Sequence, residues 1–312
     1  MAITVSVLKK IISLTSGIST SSDNTVIRDN FVNLMIGTAS YQDRLEPFNF
    51  RWEANIEASN SRNLVLQGNL VSGSERTGYL VPPLPCGDMS GRYQNNKAFA
   101  NLLGISILPE HKVNEECAMF ANFTIWKSHD FGMYYQQGNS EFVAQDNVFI
   151  ENKNGLFVIL FGPSSSSHGF ANKEIEVNDN LFVGQTTSFD CSIDVTPRND
   201  TNFALSSVAR PVAAPGGGMV GLVFGQFYSS SNKAPQKPLK GIMAYQAIGG
   251  LTKARGNTFA KYGNVGCTNK GNFAITTSSG NDDGQHPVEI SQTTLVDVAH
   301  ENIVAYHRPN VG

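Results

Sequence analysis

The sequence predicts an all-β chain folded as a right-handed parallel β-helix, a pectate-lyase-like solenoid of irregular coils. Three observations predict it. The composition is that of strands and turns, a short asparagine-centred pattern recurs along the chain, and a glycine-led half-repeat follows several copies of that pattern.

Only 16% of the 312 residues are charged, against roughly 25% in a typical globular chain. Glycine numbers 29 and asparagine about 30, and stretches rich in alanine, leucine, glutamate and lysine, from which helices are built, are few. Net charge is -3. With no basic stripe, neither a nucleic-acid backbone nor an anionic membrane surface is an expected partner. No apolar run reaches the roughly 18–20 residues of a membrane span. Lys9 and Lys10 interrupt the apolar stretch at the N-terminus, so Met1 to Ser22 does not read as a signal peptide. Both ends read as cuts, and the expectation is a fragment of a longer ectodomain, with Met1 either a true start or a gene-model boundary.

The pattern is an apolar residue, two or three small or polar ones, an asparagine and usually two apolar residues. It reads Val26-Ile27-Arg28-Asp29-Asn30-Phe31-Val32, then Leu66-Gln67-Gly68-Asn69-Leu70-Val71. Further copies centre on Asn101, Asn122, Asn147, Asn180, Asn257 and Asn302. Their spacing is about 20 to 45 residues with one interval of about 77. A coil needs roughly 20 to 25 residues, so longer intervals imply inserted loops or a skipped coil. The half-repeat is a glycine opening an apolar strand, as at Gly78, Gly132, Gly155 and Gly221. Short strands alternate inward and outward, and each gives one or two apolar side chains to a narrow core. The turns between them favour asparagine and glycine, which tolerate the left-handed region. An asparagine repeated once per coil can also stack on its neighbour and satisfy interior backbone groups. A β-sandwich or propeller with asparagine-rich turns is the competing architecture.

The pattern thins between Gly184 and Gly250, through Pro211 to Gly218, Ser229-Ser230-Ser231 and Ala234 to Pro238. Residues 185–250 are therefore expected to be a loop-rich insertion within one domain spanning 1–312, since the pattern resumes at Asn257. Cys86, Cys117, Cys191 and Cys267 contain no C-x-x-C pair, which argues against a zinc site. They form two disulfides in one of three connectivities, or remain buried thiols. Sequons at Asn122-Phe123-Thr124 and Asn199-Asp200-Thr201 mark Asn122 and Asn199 as glycosylation candidates.

Two stretches carry a family resemblance. One is Gly78-Tyr79-Leu80-Val81-Pro82 with Asn95 to Gly104, of form N-x-A-x-x-N-x-x-G. The other is Phe123 to Lys127, through Phe131-Gly132-Met133 to Asp146-Asn147-Val148, of form W-x-x-x-x-x-G. From about Asn24 onward the chain resembles the extracellular β-helix segment of the fibrocystin family. That resemblance implies a large single-pass surface protein, its ectodomain projecting from the cell or secreted, with its membrane anchor outside this chain. It implies a receptor, adhesion or coat-like role, and an extracellular protein or carbohydrate as ligand. No cofactor is implied.

Because β-helices often carry polysaccharide lyases and hydrolases, catalytic groups must be sought. Inverting glycosidases need two carboxylates roughly 6.5–9.5 Å apart. Asp282 and Asp283, with His286 nearby, are candidates for a glycan site, set against a solvated turn in a serine- and glycine-rich loop. His129, beside Asp130 and following Trp126, is another, although no nucleophile can be attached to it. Glu115-Glu116 and the period-two pair Glu174/Glu176 read as solvated carboxylates. The function expected is a non-catalytic extracellular segment; the alternative is a glycan-active β-helix on an acidic polysaccharide such as hyaluronan.

Overall fold

The structure is a computed structural model that describes residues 4–6, 11–12, 17–33, 54–75, 77–107, 117–129, 131–135, 141–161, 174–189, 219–227, 252–263, 272–278 and 288–307. These residues form a parallel β-helix of nine coils, each contributing one strand to each of three faces. The second face is one nine-stranded sheet, from Ile11–Ile12 in coil one to Thr294–Val296 in coil nine. The third face is another, from Ile18–Ser19 to Val304–His307. The first face is divided. Four strands run from Thr4–Ser6 to Tyr93–Gln94, and a separate sheet resumes at Cys117–Ala121 and ends at Val288–Ser291.

Coil five is Cys117–Ala121, Phe123–Trp126 and Phe131–Tyr135. Coil six is Glu141–Gln145, Val148–Ile150 and Asn154–Phe161. Coil seven is Ile175–Asn178, Leu181–Val183 and Val220–Phe227. Coil eight is Thr252–Arg255, Thr258–Ala260 and Phe273–Ser278.

Inward and outward side chains alternate as strand geometry requires; Phe142 and Ala144 are buried while Glu141, Val143 and Gln145 are not. Each inward residue lies over its counterpart one coil away, so the core is a set of columns. Phe149, Phe182 and Phe259 stack with centroids 4.9 Å apart and ring planes 9° from parallel. Tyr134 stacks on its counterpart Phe157, and Tyr135 packs face to face across the core with Phe142 of the first face.

The turn from first to second face holds an asparagine ladder. A left-handed residue comes first: Asp29, Gly68, Asn95, Asn122, Asp146, Asp179, Gly256 and Gln292 all have φ between 53° and 67°. The next residue is the ladder position. Asn30 donates its side chain to Asn69 Oδ1 at 3.0 Å, and Asn69 donates to Asn96 Oδ1 at 3.1 Å. The same bonds join Asn147 to Asn180 and Asn180 to Asn257. From Asn69 onward each amide also reaches back to a carbonyl of the coil below, as Asn147 Nδ2 does to Phe120 at 3.0 Å. All six of these asparagines are buried.

This register corrects the sequence alignment of the repeat. Asn96, not Asn101, is the ladder member in coil four; Asn101 belongs to a second ladder at the next turn, where its Oδ1 accepts from the Ser74 N–H. Asn122 is the left-handed residue, and Phe123 holds the ladder place, its N–H donating to Asn147 Oδ1. Asn302 precedes a third-face strand and donates to the Asn272 carbonyl. Most copies of both turns use a left-handed residue followed by a small polar one, so a short asparagine motif matches either.

The glycine half-repeat is a column of close approach. A Cβ on Gly132 would lie 2.5 Å from the Gly155 carbonyl oxygen, and one on Gly155 would lie 2.5 Å from that of Gly221. Gly78 and Gly104 belong to the same column. The interval from Asn180 to Asn257 is one coil, because the Asn180 N–H donates directly to Asn257 Oδ1. Of residues 185–250 the structure describes 185–189 and 219–227; the latter include the coil-seven strand that Gly221 opens.

Candidate functional site

Where the first face divides, the chain makes an excursion between coils three and four. Leu84–Pro85 turns back and pairs antiparallel with Cys117–Ala121, the one antiparallel pairing among the described residues. Leu84 is buried, and Cys86 is joined to Cys117 by a disulfide with Cα atoms 5.5 Å apart. The tip is tied by Asp88, which accepts from Arg92 Nε at 2.8 Å and from the Ser90 N–H at 2.8 Å. Burial opposes ionisation of Asp88, but the Ser90 and Arg92 hydrogen bonds outweigh it and hold its carboxyl below the ordinary range. Met89 projects at the tip, 92% exposed.

Beneath this roof lies a cleft of about 280 Å³ on the outer surface of the first face. Its walls are outward residues of coils five to seven: Met119 over Val143 over Glu176, flanked by Glu141, Gln145, Glu174 and Asn178, with Cys86 and Gly87 above. Parallel register assembles it. Val143 pairs with Glu176, and Glu176 with Lys253 of coil eight. Glu174 is ion-paired with Lys253 at 2.6 Å. Glu176 accepts from Asn178 Nδ2 at 2.7 Å, while the buried Oδ1 of Asn178 accepts nothing. The cleft is thus an acidic pocket with amide and aliphatic walls. Among the described residues, no three His, Cys, Asp or Glu side chains are grouped as metal ligands.

The candidates named from sequence do not converge here. His129 is exposed at the second turn, its backbone N–H donating to the Asn101 carbonyl, and it is not part of the cleft. Asp130, Asp282, Asp283, His286, Asn199, Cys191, Cys267, Glu115 and Glu116 lie outside the described residues. Asn122 is exposed. Trp126 is half-buried on the outer side of the second face, stacked on Phe99 at 5.1 Å. The pair Glu174/Glu176, read as solvated, instead lines the cleft. Glu141 escaped notice because it lies 33 residues before Glu174. Only the pairing of Phe142 with Ile175 brings the two together.

No family model matches the chain. It is 32% identical to fibrocystin-L of Homo sapiens over 288 residues, which is 91% of this chain and 7% of that protein. It is also 32% identical to fibrocystin-L of Mus musculus over 298 residues, 95% of this chain. Fibrocystin of Canis lupus familiaris is 26% identical over 288 residues. The chain therefore spans about 7% of the length of these relatives. Among solved structures it is similar to the tailspike protein of E. coli bacteriophage HK620 in complex with pentasaccharide. That match has a TM-score of 0.39 and 9% identity, covering 92% of this chain and 39% of that one, too distant to bear on function.

Proposed function

We propose that this chain, related to the fibrocystin family across more than nine-tenths of its length, is a non-catalytic β-helix segment on the extracellular side of a large surface protein. It acts as one domain over residues 1–312, with 185–250 as a loop-rich insertion, and presents its lateral faces to a protein or carbohydrate ligand. A solenoid suits this role, since stacked coils build extended surfaces from repeated outward positions.

The observation that carries the non-catalytic reading is the engagement of the cleft carboxylates. Glu174 is held by Lys253 and Glu176 by Asn178, so two of the three cleft carboxylates are tied to neighbouring side chains, whereas glycoside cleavage needs a pair of carboxyls free to face the scissile bond. The cleft also supplies the one observation favouring the second reading, a glycan-active site, because it gathers Glu141, Glu174 and Glu176 in one lateral groove.

The test is depolymerisation of hyaluronan and pectin by the full chain, read as new reducing ends and as unsaturated product absorbance. The expected result is no turnover above background, unchanged in Glu174→Gln and Glu176→Gln. Turnover that is lost in Glu176→Gln would establish the enzyme reading instead. Surface location is tested separately by labelling intact cells with a membrane-impermeant reagent; protection of the native protein would refute it.

A further inference from the structure

We infer that Asn122 is an N-glycan acceptor and that its glycan stands over the seam dividing the first face. The inference rests on the extracellular reading above for its setting. Its acceptor geometry is independent of that reading.

Asparagines of the turn repeat are poor acceptors in the folded chain. Asn30, Asn69, Asn96, Asn147, Asn180 and Asn257 are buried, and their Nδ2 groups are engaged with the coil below or the coil above. None of these six begins an N-x-Ser/Thr sequon. Coil five departs from the pattern in a way that frees one asparagine. Phe123 occupies the ladder place and packs edge-on against Tyr79 and Tyr93, with centroids 5.5 and 5.9 Å away. Asn122 falls one residue earlier, at the left-handed position with φ of 65°, and is exposed. Strand alternation then turns the middle residue of the sequon inward, while Thr124 is on the outer side.

The amide survives the modification without losing its structural bond. Asn122 Nδ2 donates to the Tyr93 carbonyl at 3.3 Å. In transfer from a lipid-diphosphate-linked oligosaccharide, Nδ2 bonds to the anomeric carbon and the carbon–oxygen bond to phosphate breaks. The lipid diphosphate leaves, and the nitrogen gives up one proton. One N–H remains, enough to keep the bond to Tyr93. That bond crosses the place where pairing fails: Tyr93–Gln94 is the edge strand of its sheet, paired only with Val65–Gln67. That edge faces coil five of the same chain, with Phe123 packed on Tyr93 behind it, so a glycan on Asn122 stands over the seam between coils four and five.

The experiment expresses the full 312-residue chain behind a secretory leader in animal cells. Site occupancy is read by mass spectrometry after enzymatic deglycosylation in heavy-oxygen water. Occupied Asn122 is expected in the parent chain and in Thr124→Ser, with loss in Asn122→Gln and Thr124→Val. Asn199→Gln separates the two sequons. A secreted chain with bare Asn122 would overturn the assignment, and if Asn122→Gln is not secreted the serine and valine variants still decide it. Occupied Asn122 in the directed chain, with the native protein protected from surface labelling, would sink the extracellular reading and leave the acceptor assignment standing.

Discussion

At the residue scale the fold turns on where one asparagine sits relative to a left-handed turn. A ladder asparagine links coils through several buried hydrogen bonds, and truncation leaves backbone groups unpaired at about 1–3 kcal/mol. Asn147→Ala is therefore expected to lower the unfolding free energy by that amount in a denaturant titration. Asn122→Gly, in chain made without glycan, should cost under about 1 kcal/mol, because glycine tolerates the φ of 65° and only one 3.3 Å bond at the surface is lost. Gly132→Ala should be worse than either, since its Cβ would meet the Gly155 carbonyl and backbone cannot yield cheaply; a loss above about 3 kcal/mol in the same titration is expected. The asparagine and glycine signals were legible in the sequence because turn geometry restricts both positions to few residue types. Their exact register was not, because Asn101 and Asn122 satisfy the same short pattern from different turns.

At the scale of elements, the roofed cleft depends on the excursion from Val81 to Arg92. Four cysteines left three pairings open. What selects Cys86 with Cys117 is a fold-back of Leu84–Pro85 onto a strand more than thirty residues later in the chain. Nothing local in Pro82-Pro83 or Pro85 announces an antiparallel return. Breaking the bond by Cys86→Ser with Cys117→Ser removes a cross-link of 31 residues' separation, and a loss of about 2–4 kcal/mol is expected. Limited proteolysis should then cut first near Met89. The tip also has an acid limit. Asp88 is depressed below its unfolded value, so its contribution is present above about pH 4 and is lost as pH falls through the lower folded value. Cleavage at the tip should accelerate only below that pH, and Asp88→Asn should abolish the pH dependence.

At the scale of the molecule, function follows from which distant residues the stack makes neighbours. Glu174 and Glu176 were legible in the sequence as a period-two pair, whereas Glu141 joins them only through coil register. The interval between Asn180 and Asn257 is the hardest part to read from sequence, where it allows either insertions or a missing coil. The stack resolves it as one coil step, with Leu181 paired to Thr258 on the outer side of the second face. Adjacent strands lie about 4.8 Å apart, within the Cα span of a disulfide, whereas Val148 and Thr258, two coils apart, exceed the roughly 7 Å limit. The decisive measurement is oxidative cross-linking of Leu181→Cys with Thr258→Cys, mapped by peptide mass spectrometry and compared with Val148→Cys with Thr258→Cys. A nine-coil stack requires efficient cross-linking in the first pair and none in the second. The reverse outcome, or no cross-link in either, would contradict it.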